Sequence, residues 1–222
     1  MTKFIEIPAA QAIISRRSKA FGVGINDAKY LTQPIVGGVA CYCPYYTAWQ
    51  SMMKRCYCEK TQKRQPTYIG CSVCPDWAVF SNFRAWMNSQ DWNGKALDKD
   101  LLVSGNKVYG PEFCMFVSVG LNSLLTNAKA IRGDLPQGVS FEVKNKSNNK
   151  YYRARCNVNG KSKHIGYFSS VNQAEYAYLK FKSNLILEKS FSDEAVSIPK
   201  LQAALIRHSK EFNNKAELLK WN

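Results

Sequence analysis

The sequence predicts an α+β protein, and three observations in its C-terminal half support this class. Residues 139–143 and 151–158 alternate apolar with polar side chains, as half-buried strands do. Asn159-Gly160 then supplies the preferred two-residue turn of a β-hairpin. After Phe168 the apolar spacing changes to the helical period, behind the capping residues Ser169-Ser170. We therefore expect a three-stranded antiparallel sheet packed on one helix.

Two aromatic-rich helices are predicted in the N-terminal half. Residues 44–57 begin with Pro44, which suits the first turn of a helix, and residues 75–89 begin with Pro75-Asp76. Both segments place apolar side chains at helical spacing, which indicates a buried stripe. The residues of the two stripes are Tyr45, Ala48, Trp49, Met52, Met53 and Cys56, and Trp77, Phe80, Phe83, Trp86 and Met87.

Shorter helices are expected elsewhere. One lies near the N-terminus and ends at Arg16-Arg17, which is either a solvated helix end or a phosphate contact. Another covers 120–130, and one or two short helices form a C-terminal tail. Residues 132–138 are rich in Asp, Gly and Pro, so we place a domain boundary there. The predicted divisions are an N-terminal segment at 1–40, a domain at 41–131, the sheet-and-helix domain at 132–188 and the helical tail at 189–222.

The charge of the chain favours a polyanionic partner. Its 222 residues contain 31 Lys and Arg against 16 Asp and Glu, a formal net charge of +15. The basic residues recur along the chain, which suits a structured binding face better than a disordered arm. The sequence has neither an apolar run of membrane-spanning length nor a signal-like N-terminus. We therefore expect no membrane partner and a cytoplasmic location.

A small acidic loop lies within Leu97–Val117, which is typical of a short strand, a tight loop and then a second short strand or the start of a helix. The loop collects the carboxylates of Asp98, Asp100 and Glu112 and the amide of Asn106. Hard divalent cations such as Mg²⁺ prefer oxygen ligands of this kind. The loop is therefore a candidate metal site.

The same stretch resembles the core of the HNH (ββα-metal) nucleases, particularly phage-encoded homing endonucleases. Gly105-Asn106-Lys107 and Pro111-Glu112 match that core, Val117 fits its apolar exit, and Asn122 fits its last polar position. The resemblance implies an HNH-like domain with Asp98, Asp100 and Asn122 as ligands of Mg²⁺ or a similar cation. Asn122 is alternatively a helix-end hydrogen-bonding residue.

The chain departs from the HNH pattern at the general base. Where that family has a His, this sequence has Lys99, and Tyr109 or Gly110 stands where a middle Asn is usual. Lys99 and Tyr109 are therefore the candidate bases or phosphate stabilisers. A Lys must have a lowered pKa to act as a base near neutral pH.

Eight Cys residues are present, and four of them suggest a second metal site. Cys56 and Cys58 are separated by about a dozen residues from Cys71 and Cys74, within a hairpin-like insert. Four thiolates would suit a structural Zn²⁺ ion. The alternative interpretation is buried free thiols, which suits a chain without an export signal.

Strand alternation predicts which residues of the C-terminal sheet face outward. If Ala154 and Cys156 face the helix, Arg153 and Arg155 face away from it. Arg can bridge two acceptors of guanine, whereas the lysines nearby are suited to phosphates. The candidate DNA-binding residues are Ser140, Glu142, Lys144, Lys150, Tyr151, Arg153, Arg155, Lys161, Ser162, Lys163 and His164.

Residues 138–188 also resemble the plant APETALA/ethylene-response-factor DNA-binding domain, which occurs fused to phage HNH endonucleases. The resemblance implies that the sheet enters the major groove of double-stranded DNA. The matching residues are Gly138-Val139-Ser140, Tyr152-Arg153-Ala154-Arg155, Asn159-Gly160-Lys161, Ile165-Gly166-Tyr167-Phe168 and Ala174-Glu175-Tyr176-Ala177-Tyr178.

Three functional hypotheses follow. The first is a phage HNH-type endonuclease that binds specific DNA and hydrolyses it with a divalent cation. The second is a nuclease-derived protein without catalysis that binds DNA and acts as a regulator or as an inhibitor of a host system. The third is RNA binding or RNA cleavage.

Overall fold

The computed structural model describes residues 4–126, 133–144 and 149–219; the side chains of residues 143, 144, 149 and 150 are outside this description. Within these residues the protein is a mixed α+β structure, as expected.

It forms two compact units, Met1–Val117 and Ser118–Asn222. The α-helices of the first unit are α1 (Gln11–Ser15), α2 (Pro44–Tyr57), α3 (Glu59–Arg64) and α4 (Phe80–Asn88). Its strands are β1 (Ile35–Val36), β2 (Val39–Ala40), β3 (Ser72–Val73), β4 (Lys95–Asp98), β5 (Val108–Tyr109) and β6 (Met115–Ser118).

The strands of the first unit pair in three two-stranded sheets. β1 pairs with β2 antiparallel, β3 with β5 in parallel, and β4 with β6. The Cys-rich insert is therefore not a hairpin, because it contains α3 and a short 3₁₀ turn at Pro66–Tyr68 before β3. The strands β4 and β5, which flank the tight part of the acidic loop, thus belong to two different sheets.

An aromatic core holds the first unit together, and α2 lies at its centre. The helix matches the predicted bounds, and Trp49, Met52 and Met53 are fully buried. The indole nitrogen of Trp49 donates a hydrogen bond of 2.7 Å to the carbonyl of Trp77, so the polar group of this Trp is satisfied inside the core.

The second predicted helix is divided at Val79. A 3₁₀ turn at Asp76–Ala78 precedes α4, and Val79 between them is extended. Ile25 explains the interruption, because its N–H donates to the carbonyl of Ala78 and its carbonyl accepts from the N–H of Phe80. A partner far away in sequence has replaced the helical hydrogen bonds at this point.

The second unit contains the predicted three-stranded antiparallel sheet. Its strands are β7 (Val139–Lys144), β8 (Asn149–Val158) and β9 (Lys161–Phe168), in the order β7-β8-β9. Asn159 and Gly160 join β8 to β9 with positive φ angles of 51° and 79°, as this hairpin turn requires. Its helices are α5 (Val119–Leu125), α6 (Val171–Lys189), α7 (Asp193–Val196) and α8 (Pro199–Leu219). The predicted cap of α6 is confirmed, because the hydroxyl of Ser170 accepts from the N–H of Gln173.

The C-terminal tail differs from the expected short helices. α8 is 21 residues long and packs along α6. The hydroxyl of Ser183 donates to the carbonyl of Ser209 at 2.9 Å, and the hydroxyl of Ser209 donates to the carbonyl of Ser183 at 3.0 Å. Because both side chains are small and their hydroxyls are hydrogen-bonded, the two helices can approach closely here. Lys180 adds a 3.0 Å ion pair with Glu217. The tail is therefore a packed layer of the second unit.

None of the described helices is long and apolar enough to cross a membrane.

The backbone at Gly138, before β7, provides a test of the packing between α6 and the sheet. Gly138 has a φ of +77°, and an added Cβ would lie 2.2 Å from the ring of Tyr178 and 2.6 Å from the carbonyl oxygen of Arg155. We expect Gly138→Ala to lower the free energy of unfolding by about 2–4 kcal/mol, as backbone strain and overpacking add. Gly160→Ala is the matched control, because its φ is +79° and its added Cβ meets nothing within 4 Å. Urea unfolding that gives equal losses for both variants would contradict this account.

Candidate nucleic-acid interface

The pairing of the three strands determines which side chains face away from α6. Ala154 and Cys156 are buried on the helix side, at 0% and 5% exposure. Arg153 directly precedes Ala154 in the strand, so it belongs to the opposite face. It pairs across the sheet with Ser140 on β7 and with Tyr167 on β9. We call this opposite face, with its residues Ser140, Glu142, Tyr151, Arg153, Arg155, Asn157, Ser162, His164 and Tyr167, the outer face.

Arg153 and Glu142 form an ion pair at the centre of the outer face. Nη1 of Arg153 lies 2.7 Å from Oε1 of Glu142, and both side chains are about one third exposed. The hydrogen bond from Arg153 lowers the pKa of Glu142, so the carboxylate stays charged. Nε of Arg153 and the hydroxyl of Ser140 are buried atoms without a hydrogen-bond partner. The pair therefore fixes Arg153 in place while one of its donors stays unused.

An irregularity in the β8–β9 pairing changes the far end of the outer face. The register shifts between Ala154 and Arg155, so Arg155 pairs with His164 and Ile165 is passed over. The rings of His164 and Tyr167 consequently lie on one face, with centroids 4.7 Å apart. The ring centroids of Tyr151 and Tyr167 are 6.4 Å apart. The outer face thus joins two arginines to three rings, and Tyr167 was not among the predicted DNA-binding residues.

Two predicted lysine contacts lie on the other side of the sheet. Lys161 pairs with Val158 and Lys163 with Cys156, so both occupy helix-side positions. Nζ of Lys163 lies 5.1 Å from the centroid of the Phe181 ring on α6. Both lysines are exposed, but they do not extend the outer face. Ser162 does belong to it, through its pairing with Asn157.

For Lys144 and Lys150 the structure describes only the backbone. Lys144 pairs with Asn149, and Lys150 with Val143. Their side chains lie outside the described residues, and their predicted phosphate contacts stay predictions.

The acidic loop follows β4, and its first carboxylate binds the loop's own backbone. Oδ1 of Asp98 accepts hydrogen bonds from the N–H groups of Asp100 (3.0 Å) and Leu101 (2.7 Å). Burial and then the charge of Asp100 raise the pKa of Asp98. Asp98 therefore acts in this loop as a turn-forming side chain.

Lys99 provides a cation within the same loop. It is 6% exposed, and its Nζ lies 3.1 Å from Oδ2 of Asp100 and 2.8 Å from the carbonyl of Asn106. The amide of Asn106 donates in return to the carbonyls of Lys99 (2.6 Å) and Val108 (2.7 Å). The loop is thus closed by its own hydrogen bonds, and this geometry favours a structural ammonium over a general base.

The other candidate catalytic residue, Tyr109, is buried in the core of the first unit at 1% exposure. Its hydroxyl accepts a 3.3 Å hydrogen bond from Arg55. Burial raises the pKa of Tyr109 far above its usual value. A phenol that holds its proton so firmly is poorly suited to act as a base.

The other residues predicted for this metal site are Asn122 and Glu112. Asn122 lies on α5 in the second unit, whereas Asp98 and Asp100 belong to the first. Glu112 is exposed in a turn before β6. The described residues contain no group of three or more His, Cys, Asp or Glu side chains placed to hold a metal. Internal donors already occupy one oxygen of Asp98 and one of Asp100, which weighs against Mg²⁺ in this conformation, and the predicted Mg²⁺ ligands stay predictions.

The four cysteines predicted for Zn²⁺ have different surroundings. Burial, and then the nearby Cys71, raises the pKa of Cys56 to about 12, which favours the neutral thiol. A hydrogen bond from Thr61 lowers the pKa of Cys58. Cys71 is buried and Cys74 is half-buried. The geometry favours thiols over a four-thiolate site, and a zinc assay on the purified protein tests the prediction.

One basic residue of the N-terminal segment has an internal role. Arg17 donates from its guanidinium to the carbonyls of Asn26, Ala28 and Tyr30. It therefore orders the segment that follows α1 and does not offer a free phosphate contact.

Comparisons with protein-family models, with curated proteins and with solved structures gave no match to this chain.

The structural role of Lys99 can be tested by removing its charge. We expect Lys99→Met to lower the free energy of unfolding by about 1–3 kcal/mol, because Asp100 and the carbonyl of Asn106 lose a charged donor. Lys107→Met is the control, since Lys107 is an exposed neighbour whose Nζ reaches the carbonyl of Thr67. It should change stability by about 0.5 kcal/mol or less. Equal losses in urea unfolding would leave Lys99 free for a chemical role.

Proposed function

We propose that this protein binds double-stranded DNA in a sequence-specific way, with the outer face of its three-stranded sheet lying in the major groove. The observation that carries the proposal is the charge of this sheet. Residues 139–168 contain seven Lys or Arg and only one acidic residue, Glu142. Arg153 and Arg155 lie on the outer face, where a duplex would meet them.

The chemistry of the outer face supports base reading as well as backbone contact. An Arg held in a fixed position can donate two hydrogen bonds to O6 and N7 of guanine, and a Glu can accept from the N4 group of cytosine. Arg153 and Glu142 stand side by side with a fixed separation, so neighbouring bases could be read together. Arg155, which is exposed beside His164, supplies a second cation on the same face.

The shape of the sheet favours DNA over RNA as the partner. The major groove of B-DNA is about 12 Å wide and admits a β-ribbon. The major groove of A-form RNA is deep and too narrow for side chains to read. The resemblance of residues 138–188 to the APETALA/ethylene-response-factor domain supports the same choice.

Cleavage is a separate matter from binding. The resemblance of the acidic loop to the HNH core is the ground for metal-dependent hydrolysis, and the internal bonding of Lys99 and Asp98 weighs against it. We therefore favour the hypothesis of a nuclease-derived DNA-binding protein that acts as a regulator or as an inhibitor of a host system. A phage origin and a cytoplasmic location remain part of this proposal.

The DNA interface can be tested with paired arginine variants. We expect Arg153→Ala with Arg155→Ala to weaken binding to a selected duplex by about a hundredfold or more, because each bidentate contact to a base contributes about 1–3 kcal/mol. The slope of log K against log salt should also become shallower. Binding to duplexes picked from a random pool, measured by fluorescence anisotropy, provides both quantities.

Single-charge variants separate the two faces of the sheet. Arg155→Gln should weaken duplex binding more than Lys163→Gln, which removes the same charge from the helix side. Lys215→Gln on α8 controls for the loss of one positive charge at a distance from the sheet. Equal losses from all three variants would indicate non-specific attraction to the +15 chain and would reject the outer face.

The catalytic hypothesis is tested with supercoiled plasmid in Mg²⁺ or Mn²⁺. We expect tight binding without nicking, because Lys99 is held as an internal ammonium. Nicking by the wild type that disappears in both Asp98→Ala and Asp100→Ala would instead establish the loop as a metal-dependent site.

A further inference from the structure

A second basic surface lies in the first unit, where α2 ends and α3 begins. Cys58 alone separates the two helices, and each helix has two basic residues in its last turn. Lys107, immediately before β5, joins the same region, because its Nζ lies 2.7 Å from the carbonyl oxygen of Thr67, shortly after α3. We call the exposed cations of this region the α3 surface; they are Lys54, Lys60, Lys63, Arg64 and Lys107.

The inner side of α3 is held against the first unit. Thr61 is buried, and Nε2 of Gln62 donates to the carbonyl of Cys56 at 2.6 Å, so this side of the helix is fixed to the end of α2. Arg55, the other basic residue in the last turn of α2, is directed inward, and its Nη1 donates to the hydroxyl of the buried Tyr109 at 3.3 Å. The exposed cations of α3 therefore project from a backbone whose position is fixed.

The three cations of α3 have a spacing that costs stability. Lys60, Lys63 and Arg64 are three and four residues apart, so their side chains lie on one face of the helix, where like charges repel each other. The helix dipole favours Lys63 and Arg64, because they lie in the last turn. It disfavours Lys60, which is the second residue of the helix. Helix stability therefore does not account for the three charges together.

Carboxylates of the protein do not offset this charge. Among the described residues, none of the five cations of the α3 surface forms an ion pair with Asp or Glu. In the same unit, by contrast, Arg84 pairs with Glu6 and Lys95 with Asp91. Glu59 is the one acidic residue in the sequence 54–67, and it is exposed. The α3 surface thus keeps its positive charge available to a partner.

We propose that the α3 surface binds the phosphate backbone of double-stranded DNA, as a contact of the first unit that is separate from the outer face. The inference rests on the proposed function for the identity of the polyanion. Duplex DNA carries one negative charge per about 1.7 Å of its axis, so a six-residue helix, about 9 Å long, faces several phosphates. Lysine is a flexible point charge, which suits contacts to phosphates and carries no sequence information.

Removal of the three charges of α3 provides the first test. The triple variant Lys60→Gln, Lys63→Gln and Arg64→Gln should weaken duplex binding about tenfold or more at 0.1 M salt, and the slope of log K against log salt should become shallower by about 2–3. A selected duplex and an unrelated duplex should lose affinity by the same factor, because phosphates do not differ between sequences. Fluorescence anisotropy of the full chain measures all three quantities.

The matched control removes three positive charges from α8 in the second unit. Lys200→Gln, Lys210→Gln and Lys215→Gln change exposed residues and the net charge by the same amount. This control should keep most of the affinity. Equal losses from the two triple variants would show that the net charge of the chain, and not the α3 surface, attracts DNA, and would overturn the proposal.

A measurement on the wild type does not depend on the folding of any variant. Acetylation of lysines, read by mass spectrometry, should slow at Lys60 and Lys63 when an excess of duplex is added, because bound phosphates shield their ammonium groups. Lys200 and Lys215 on α8 serve as the reference. Unchanged reactivity of Lys60 and Lys63 under saturating duplex rejects the α3 surface.

The outer-face variants separate this inference from the proposed function. Arg153→Ala with Arg155→Ala should leave a residual, sequence-independent affinity, and the triple variant of α3 should remove it. If the outer-face variant binds as the wild type does while the triple variant does not, the proposed function fails and the α3 surface stands. If only the outer-face variant loses affinity, the α3 surface fails and the proposed function stands.

Discussion

The contact between α6 and the middle strand of the sheet decides which strand residues face the helix and which face away from it. Ala154 on β8 and Ala174 on α6 are both fully buried, and their small side chains let the helix lie close to the strand. Gly138 belongs to the same contact, because Tyr178 fills the space that a Cβ would need. Once Ala154 faces the helix, strand alternation places Arg153 on the opposite side, and the charged outer face follows from apolar packing.

The two faces of the sheet use positive charge differently. On the outer face, Glu142 holds Arg153 in place, so less side-chain freedom remains to be lost when a base is bound. On the helix side, the ammonium of Lys182 is enclosed by oxygens and aromatic rings and gains its orientation from burial. Both arrangements orient a cation, the first at a partly exposed surface and the second in the interior of the unit.

Local patterns were sufficient for much of this fold. The helix at 44–57, the Asn159-Gly160 turn and the Ser170 cap were predictable because each depends on neighbouring residues. The division at Val79 depends on Ile25, more than fifty residues away, and no periodicity indicates such a partner. Simple alternation likewise placed Arg153 and Ser162 correctly, and with Ser162 facing outward it also puts Lys161 and Lys163 on the helix side. The irregularity after His164, which brings Tyr167 to the outer face, has no signal in the alternation. The burial of Lys99 and Lys182 has the same origin, since only tertiary contacts show that a lysine is enclosed.

The acidic loop is held together by its own side chains and backbone. In a metal site, adjacent carboxylates are held together by the cation that they bind. Here Asp98 closes the turn through two backbone N–H groups, and the ammonium of Lys99 reaches Asp100 from within the loop. A covalently attached cation offsets the repulsion between the two carboxylates permanently, so the loop can fold without an external ion. A residue at this position that supplies the charge needed for folding is poorly placed to remove a proton from water, and the bonding within the loop therefore favours a structural role for Lys99.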